Sequence, residues 1–238
     1  MYTFTPGLPH GEIEAIFPNL YFVTGTSRPN FQGMVWQFSR NMTIVREGDS
    51  LTLINSVRLN DDGLRALDQL GQVKHVVKLG AFHGIDDAFY VDRYRARLWA
   101  LPGMRHESGL PTDGELTPGG PMPLADVSLF AFETVKQPEG ILHIHQHGGI
   151  LVACDSLQNW AEPDRFFSPE TAALMRSLGF IRTANVGPGW RQFAEPQASD
   201  FARLSGLSFR HLLSAHGTPL LDQAHALLSQ TFREQFGI

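Results

Sequence analysis

Apolar positions alternate through the first part of the chain and then take up helical spacing. Residues 12–24 (EIEAIFPNLYFVT) read as two short strand runs parted by the turn Pro18-Asn19. Trp36 and Phe38 alternate within 26–40, the mark of a half-buried strand. MTIVR and LTLINSV flank Glu47-Gly48-Asp49-Ser50 and predict a hairpin. The period then changes. Asn60, Asp61 or Asp62 can cap a helix in which Leu64, Leu67 and Leu70 share a face, and Gly71 ends it. VKHVVKLG follows as a buried strand. Hairpin, helix, strand is a crossover, so this strand should lie parallel to the one before the helix.

The remainder continues in the same idiom. Residues 80–95 predict a loop running into a short helix (DAFYVDRYRA), and ARLWALPG predicts a strand. Residues 103–123 are rich in Gly and Pro and predict a long surface loop, the kind that binds or closes over ligands. VSLFAFETV, ILHIHQH and ILVACDSL, parted by KQPEG and Gly148-Gly149, predict an antiparallel meander. Ser168-Pro169-Glu170 opens a helix that Gly179 stops. Residues 183–196 read as loop, 197–206 as a short helix and FRHLLSAHG as a strand. Thr218-Pro219 opens a last helix whose Leu220, Leu221, Ala224, Leu227, Leu228, Thr231 and Phe232 form one apolar face. No short repeat or linker divides the chain, which predicts one α/β domain over 1–238. Two sheets with helices outside them suit this order better than one doubly wound sheet.

Composition narrows the function more than the fold. A hydrophobic share of 42% and a charged share of 18% exclude disorder and coiled coil. The net charge of -5 comes without any Lys/Arg run, which argues against nucleic-acid partners. No apolar run approaches bilayer length, and the opening residues lack a basic stretch before an apolar one, so neither membrane nor signal peptide is expected. The single cysteine, Cys154, excludes an intrachain disulfide, and a cytoplasmic location is expected. The partner left is a small-molecule substrate or ligand.

Histidine and aspartate gather where strands end, the position from which loops deliver functional groups. His83, Asp86 and Asp87 follow VKHVV; Asp155 ends LVACD; His216 ends LLSAH. Imidazole and carboxylate suit zinc, iron or manganese. Each also has a plainer reading. Asp155 can form a turn, His216 can bond a loop, and Asp87 can cap the helix that follows. His143, His145 and His147 alternate and would share one face of a strand; packing Leu142 and Ile144 inward explains them without a metal. His75, His211 and Cys154 read as packing residues. No GxSxG elbow, P-loop or GxGxxG after a strand is present.

The order of these pieces resembles the metallo-β-lactamase superfamily. EAIFPNLYFVTGT resembles its opening strands, and MTIVREGDSLTLINSV the hairpin before its first acidic position. LRALDQLGQVKHVV resembles the helix and strand that lead to the metal loop; GGILVACDSL and LLSAHGTPL resemble the strands ending in the bridging aspartate and the last metal histidine. The resemblance covers nearly the whole chain and is similar to an uncharacterised branch with a degraded metal loop. It implies an αββα sandwich with the site at one edge, and hydrolysis of esters, thioesters, lactams or phosphodiesters at one or two metal ions.

The chain departs from that pattern. The family loop HxHxDH is here AFHGIDD, which keeps His83 alone of its histidines. Asn55 stands at the usual acidic position, and the mid-chain histidine is replaced by FETV, with Glu133 the nearest substitute. What is implied is a single-ion site from His83, Asp155 and His216 with Glu133 or with Asp86 or Asp87, the latter two serving as general base where they are not ligands, holding zinc, iron or manganese or no metal at all. A non-catalytic domain binding a small molecule in the old cleft is the competing reading, with Trp160, Phe166, Phe167 and Trp190 as its wall; oxygen or sulfur chemistry at one iron is the third.

Overall fold

In the computed structural model, which describes residues 4–31, 33–106 and 109–238, two twisted sheets face each other with helices on both outer sides. In chain order the elements are β1 (Glu14–Phe17), β2 (Leu20–Ser27), β3 (Asn30–Phe31), β4 (Met34–Val35), β5 (Phe38–Glu47) and β6 (Ser50–Ile54). Helix α1 (Asp61–Leu70), β7 (Gln72–Lys78), α2 (Asp87–Tyr94), β8 (Arg97–Ala100) and β9 (Gly114–Glu115) complete the first half. The second half holds β10 (Val127–Ala131), β11 (Gly140–Ile144), β12 (Ile150–Ala153), β13 (Leu157–Trp160), α3 (Pro169–Ser177) and β14 (Arg182–Val186). It closes with α4 (Pro188–Ala194), α5 (Ala198–Ser205), β15 (His211–Ser214) and α6 (Ala224–Phe236).

The first sheet runs β1-β2-β5-β6-β7-β8-β9 and the second β10-β11-β12-β15. The expected crossover is present: β6 and β7 are parallel, with Leu53 opposite Val76. Alternation assigns the layers. Leu51, Leu53, Val73 and Val76 face α1 and α2, whereas Ile54 and Val77 face the other sheet. In β12, Ile150 and Val152 enter the space between the sheets while Leu151 and Ala153 meet α4, α5 and α6. Burial of apolar area on three levels is the main stabilising term.

Several local expectations are corrected. Residues 183–196 are not loop: β14 pairs with β13, and α4 follows. The last helix starts at Ala224, not at Thr218. Leu220 instead bonds back to Leu212 in both directions, which keeps 218–223 out of the helix. The segment 103–123, of which residues 107 and 108 lie outside the described ones, is not purely surface. Met104 and Leu116 enter the core between the sheets, and β9 adds to a sheet edge. His147 lies past the end of β11 in a left-handed turn, so only His143 and His145 adjoin, with ring centroids 4.5 Å apart. Leu142 and Ile144 do pack inward. Among the described residues no helix is long and apolar enough to cross a membrane.

Candidate metal centre

The register of two parallel strands sets the site. Ala153 of β12 lies opposite Ser214 of β15. Asp155 and His216 each come two residues later and leave the sheet side by side. On the first sheet, β7 ends at Lys78, and Gly80 bridges to Glu139 just ahead of β11. That bridge closes the two sheets at one edge and brings the loop carrying His83 over Asp155.

The result is a tight cluster. His83 Nε2 lies 3.0 Å from His216 Nε2. His216 Nε2 is 2.9 Å from Asp155 Oδ1, and His83 Nε2 is 3.5 Å from Asp155 Oδ2. Cys154 Sγ is 3.6 Å from that second oxygen. Bonds of about 2.0–2.1 Å from an ion to N and O ligands in a tetrahedron put neighbouring ligand atoms roughly 3.3 Å apart. The three measured separations straddle that value, so the donors fit one divalent ion.

The surroundings fix each ring. His216 packs against Trp160 at 4.7 Å and Phe38 at 6.0 Å between centroids. Trp160 Nε1 donates to Ser39 Oγ. Asn41 Nδ2 donates to the carbonyls of Ser214 and Gly217, which ties β5 to the loop of His216. Gly217 has φ +90°, and a side chain there would collide with the Asn159 backbone. Asn55, at the position where an acid was expected by resemblance, is a strap instead. Its amide donates to the Ala153 carbonyl and its N–H to the Val77 carbonyl, one on each sheet.

Electrostatics sort the carboxyl groups. Burial works to raise the Asp155 carboxyl, but His83 and His216 outweigh it and hold it well below the usual carboxylate range. Burial lowers His216, with Asp155 opposing. Glu139 is fully buried and is pushed well above the usual range by burial and then by the Asp155 charge. Its Oε1 accepts the Ser156 N–H at 2.5 Å, and its Oε2 has no partner. Burial and then the neighbouring carboxylates push the Cys154 thiol up.

The structure therefore brings together His83, Asp155 and His216 and separates the other expected residues from them. Glu133 is exposed and pairs with Arg203 at 3.1 Å. The carboxylate beside Asp155 is Glu139, six residues on, hidden in what reads as the turn KQPEG. Asp86 pairs with Arg40 and accepts the Arg58 N–H at 2.7 Å. Asp87 is buried, with Oδ1 accepting the Ser56 hydroxyl at 2.6 Å. Neither hydrogen-bonds to the cluster. Trp160, Phe166, Phe167 and Trp190 are buried packing residues, not an open wall. The exposed aromatics are others. Phe82 and Phe193 lie 6.0 Å apart, and Phe193 and Phe31 6.5 Å, each about half exposed. Phe82 directly precedes the cluster's His83 in the chain.

Solved structures share the whole architecture. The metallo-β-lactamase DIM-1 matches with a TM-score of 0.63 at 14% identity, over 94% of this chain and 97% of that one. The metallo-β-lactamase FIM-1 from Pseudomonas aeruginosa, in its mono-zinc form, matches at 0.63 and 13%, over 97% of each chain. VMB-1 matches at 0.64 and 11%, over 93% and 94%. No family model and no curated protein matches the chain. At such identities the likeness establishes the fold.

Proposed function

Starting from the metallo-β-lactamase fold, we propose that this chain is a metal-dependent hydrolase with a single-ion site held by His83, Asp155 and His216. The carrying observation is the convergence of His83 Nε2 and His216 Nε2, 3.0 Å apart, on the two Asp155 oxygens, Oδ2 at 3.5 Å and Oδ1 at 2.9 Å, at the edge where both sheets end. An ion bound there would polarise a carbonyl or phosphoryl oxygen and supply a nucleophile at neutral pH.

The chain's own groups perform the rest. Asp155 stays ionised and draws both imidazoles towards one point. Trp160 and Phe38 hold His216 in orientation and keep water from behind it. Phe31, Phe82 and Phe193 offer an apolar surface beside the opening, which suits a substrate with an acyl or aryl group next to the scissile bond. Two imidazoles and one carboxylate suit zinc or iron.

A non-catalytic role draws on a different observation: Asp86 and Asp87 are both taken up by structural partners. One experiment separates the readings. Protein purified without chelator is analysed for metal and assayed against aryl esters, thioesters and lactams. About one ion per chain with hydrolysis lost in Asp155→Ala supports the hydrolase. An ion content near zero that added zinc, iron or manganese leaves unchanged refutes it.

A further inference from the structure

We propose that His143 and His145 form a second, separate metal site, a two-imidazole clamp for copper(II) or nickel(II) on the outer face of the second sheet. Ile141, His143 and His145 share that face, because Leu142 and Ile144 pack between the sheets. Strand β11 carries the pair at its far end from the bridge of Gly80 with Glu139, well away from the His83 cluster. The His145 N–H donates to the Asp126 carbonyl at 3.0 Å, which continues the pairing of β10 with β11 past Ile144 and keeps the two rings in line. The ring centroids stand 4.5 Å apart at an interplanar angle of 61°. Metal–nitrogen bonds of about 2.0–2.1 Å put each centroid roughly 3.2 Å from a shared ion. Two rings bound at a right angle then have centroids about 4.5 Å apart, and two at the tetrahedral angle about 5.2 Å. The observed spacing matches the right angle, the geometry of copper(II) and nickel(II) and not of four-coordinate zinc.

An unpartnered nitrogen supports the same reading. His143 is only 6% exposed, and its Nε2 is buried with no hydrogen-bond partner. Buried polar atoms in that condition are uncommon, and an ion is one of the things that satisfies them. Burial and then His145 hold the His143 imidazole below the ordinary range, with the Ser208 carbonyl opposing, so the ring is neutral at pH 7 and keeps a lone pair. Gly149 has φ +93°, and a Cβ there would stand 2.9 Å from that Nε2, so glycine keeps the space beside the nitrogen open. His145 is exposed and gives the ion its way in. Among the described residues no third His, Cys, Asp or Glu donor joins the pair, so water or an outside ligand fills the other positions. His147, the third histidine of the run, is excluded. It takes φ +53° and stacks on Phe17 at 4.3 Å between centroids, out of line with the other two.

Nickel(II) is the probe, added to the full chain and followed by equilibrium dialysis. His145→Ala is expected to bind about one nickel ion fewer per chain than the wild type. His147→Ala, which removes another exposed imidazole two residues on, is expected to bind as much as the wild type. Nickel held at the His83 cluster is common to these variants and cancels in the comparison. His143→Gln should lose the same ion as His145→Ala; where circular dichroism shows it unfolded, the two exposed positions decide. Wild-type nickel content in His145→Ala, or in a folded His143→Gln, overturns the proposal. Equal losses in His145→Ala and His147→Ala overturn it as well, because they mark single surface imidazoles and not a pair. The hydrolase reading stands or falls separately.

Discussion

The imidazoles of His83 and His216 meet nitrogen to nitrogen at 3.0 Å, although their loops follow strands of opposite sheets. Two such nitrogens at that distance must share either a proton or a cation. His216 Nε2 also faces Asp155 Oδ1 at 2.9 Å, so one hydrogen would have to serve both neighbours. A cation satisfies all three groups at once. Single substitutions His83→Ala, Asp155→Ala and His216→Ala are therefore each expected to reduce the bound ion to below about a tenth of stoichiometry, a loss on the scale seen when a metal's support is removed. Elemental analysis after dialysis checks it, with circular dichroism to confirm folding. Retention of the ion in all three variants would sink the assignment.

Removal of the ion is expected to lower the thermal midpoint in proportion to its affinity. A ligand present at about 100 times its dissociation constant stabilises the folded state by about 2.7 kcal/mol. Differential scanning calorimetry with and without chelator should show a midpoint shift that grows with added metal in the wild type and vanishes in Asp155→Ala. A midpoint indifferent to chelator would mean that the folded state binds no ion.

Glu139 carries a pH signature. Its carboxyl is raised in the folded protein by burial and then by the Asp155 charge. The folded state thus keeps a proton that the unfolded chain gives up near pH 4.3. The associated stability is fully present below that value and declines as pH rises, by about 1.4 kcal/mol per pH unit across the window up to the folded value. Glu139→Gln keeps the acceptor for the Ser156 N–H and removes the titration. In chelator-treated protein, its stability relative to wild type should therefore rise between pH 5 and pH 8. Urea unfolding across that range gives the answer; a difference that stays flat or falls contradicts the buried, proton-holding carboxyl.

The frame of the site is legible in the sequence, and its inner side is not. Asp155 and His216 stand at the ends of apolar runs, and parallel pairing of those runs delivers them together. His83 follows the crossover strand for the same reason. Glu139 escaped because KQPEG has turn composition, whereas its acid is drawn inward by the bridge between Gly80 and Glu139. Residues 183–196 look like loop because Gly187-Pro188-Gly189 dominate them; β14 forms by pairing with β13, and Pro188 then starts α4. The Thr218-Pro219 start signal lost to a tertiary contact, the pairing of Leu220 with Leu212. Local signals predicted the elements, and long-range pairing decided where they begin and end.

The exposed aromatic rim is expected to act on substrate choice and not on stability. Phe193 is 47% exposed, and Phe193→Ala should change folding stability by within about 0.5 kcal/mol. If the rim holds an apolar group of the substrate, the same change should raise KM for an aryl ester by on the order of tenfold relative to a methyl ester, with kcat little altered. Phe82→Ala should behave alike, because the two rings adjoin at 6.0 Å. Equal losses on both esters would remove the rim from substrate binding.

Asn41 separates positioning from packing. It is buried, and its Nδ2 donates at 3.0 Å to the Ser214 carbonyl and at 2.6 Å to the Gly217 carbonyl, the two residues that bracket His216 and its neighbour Ala215. Asn41→Asp keeps the shape and replaces the double donor with an acceptor facing two carbonyls. Asn41→Ala leaves those carbonyls unbonded at a cost of about 1–3 kcal/mol. The aspartate variant should be the less stable of the two above pH 7, where its buried charge opposes both carbonyl dipoles, and should recover towards the alanine variant as acid protonates it. Both should weaken metal binding by about 10- to 100-fold, because His216 loses the strap that aims it. Parallel measurement of urea unfolding and cobalt affinity resolves the two effects. Reduced stability with unaltered affinity would assign Asn41 to the fold alone.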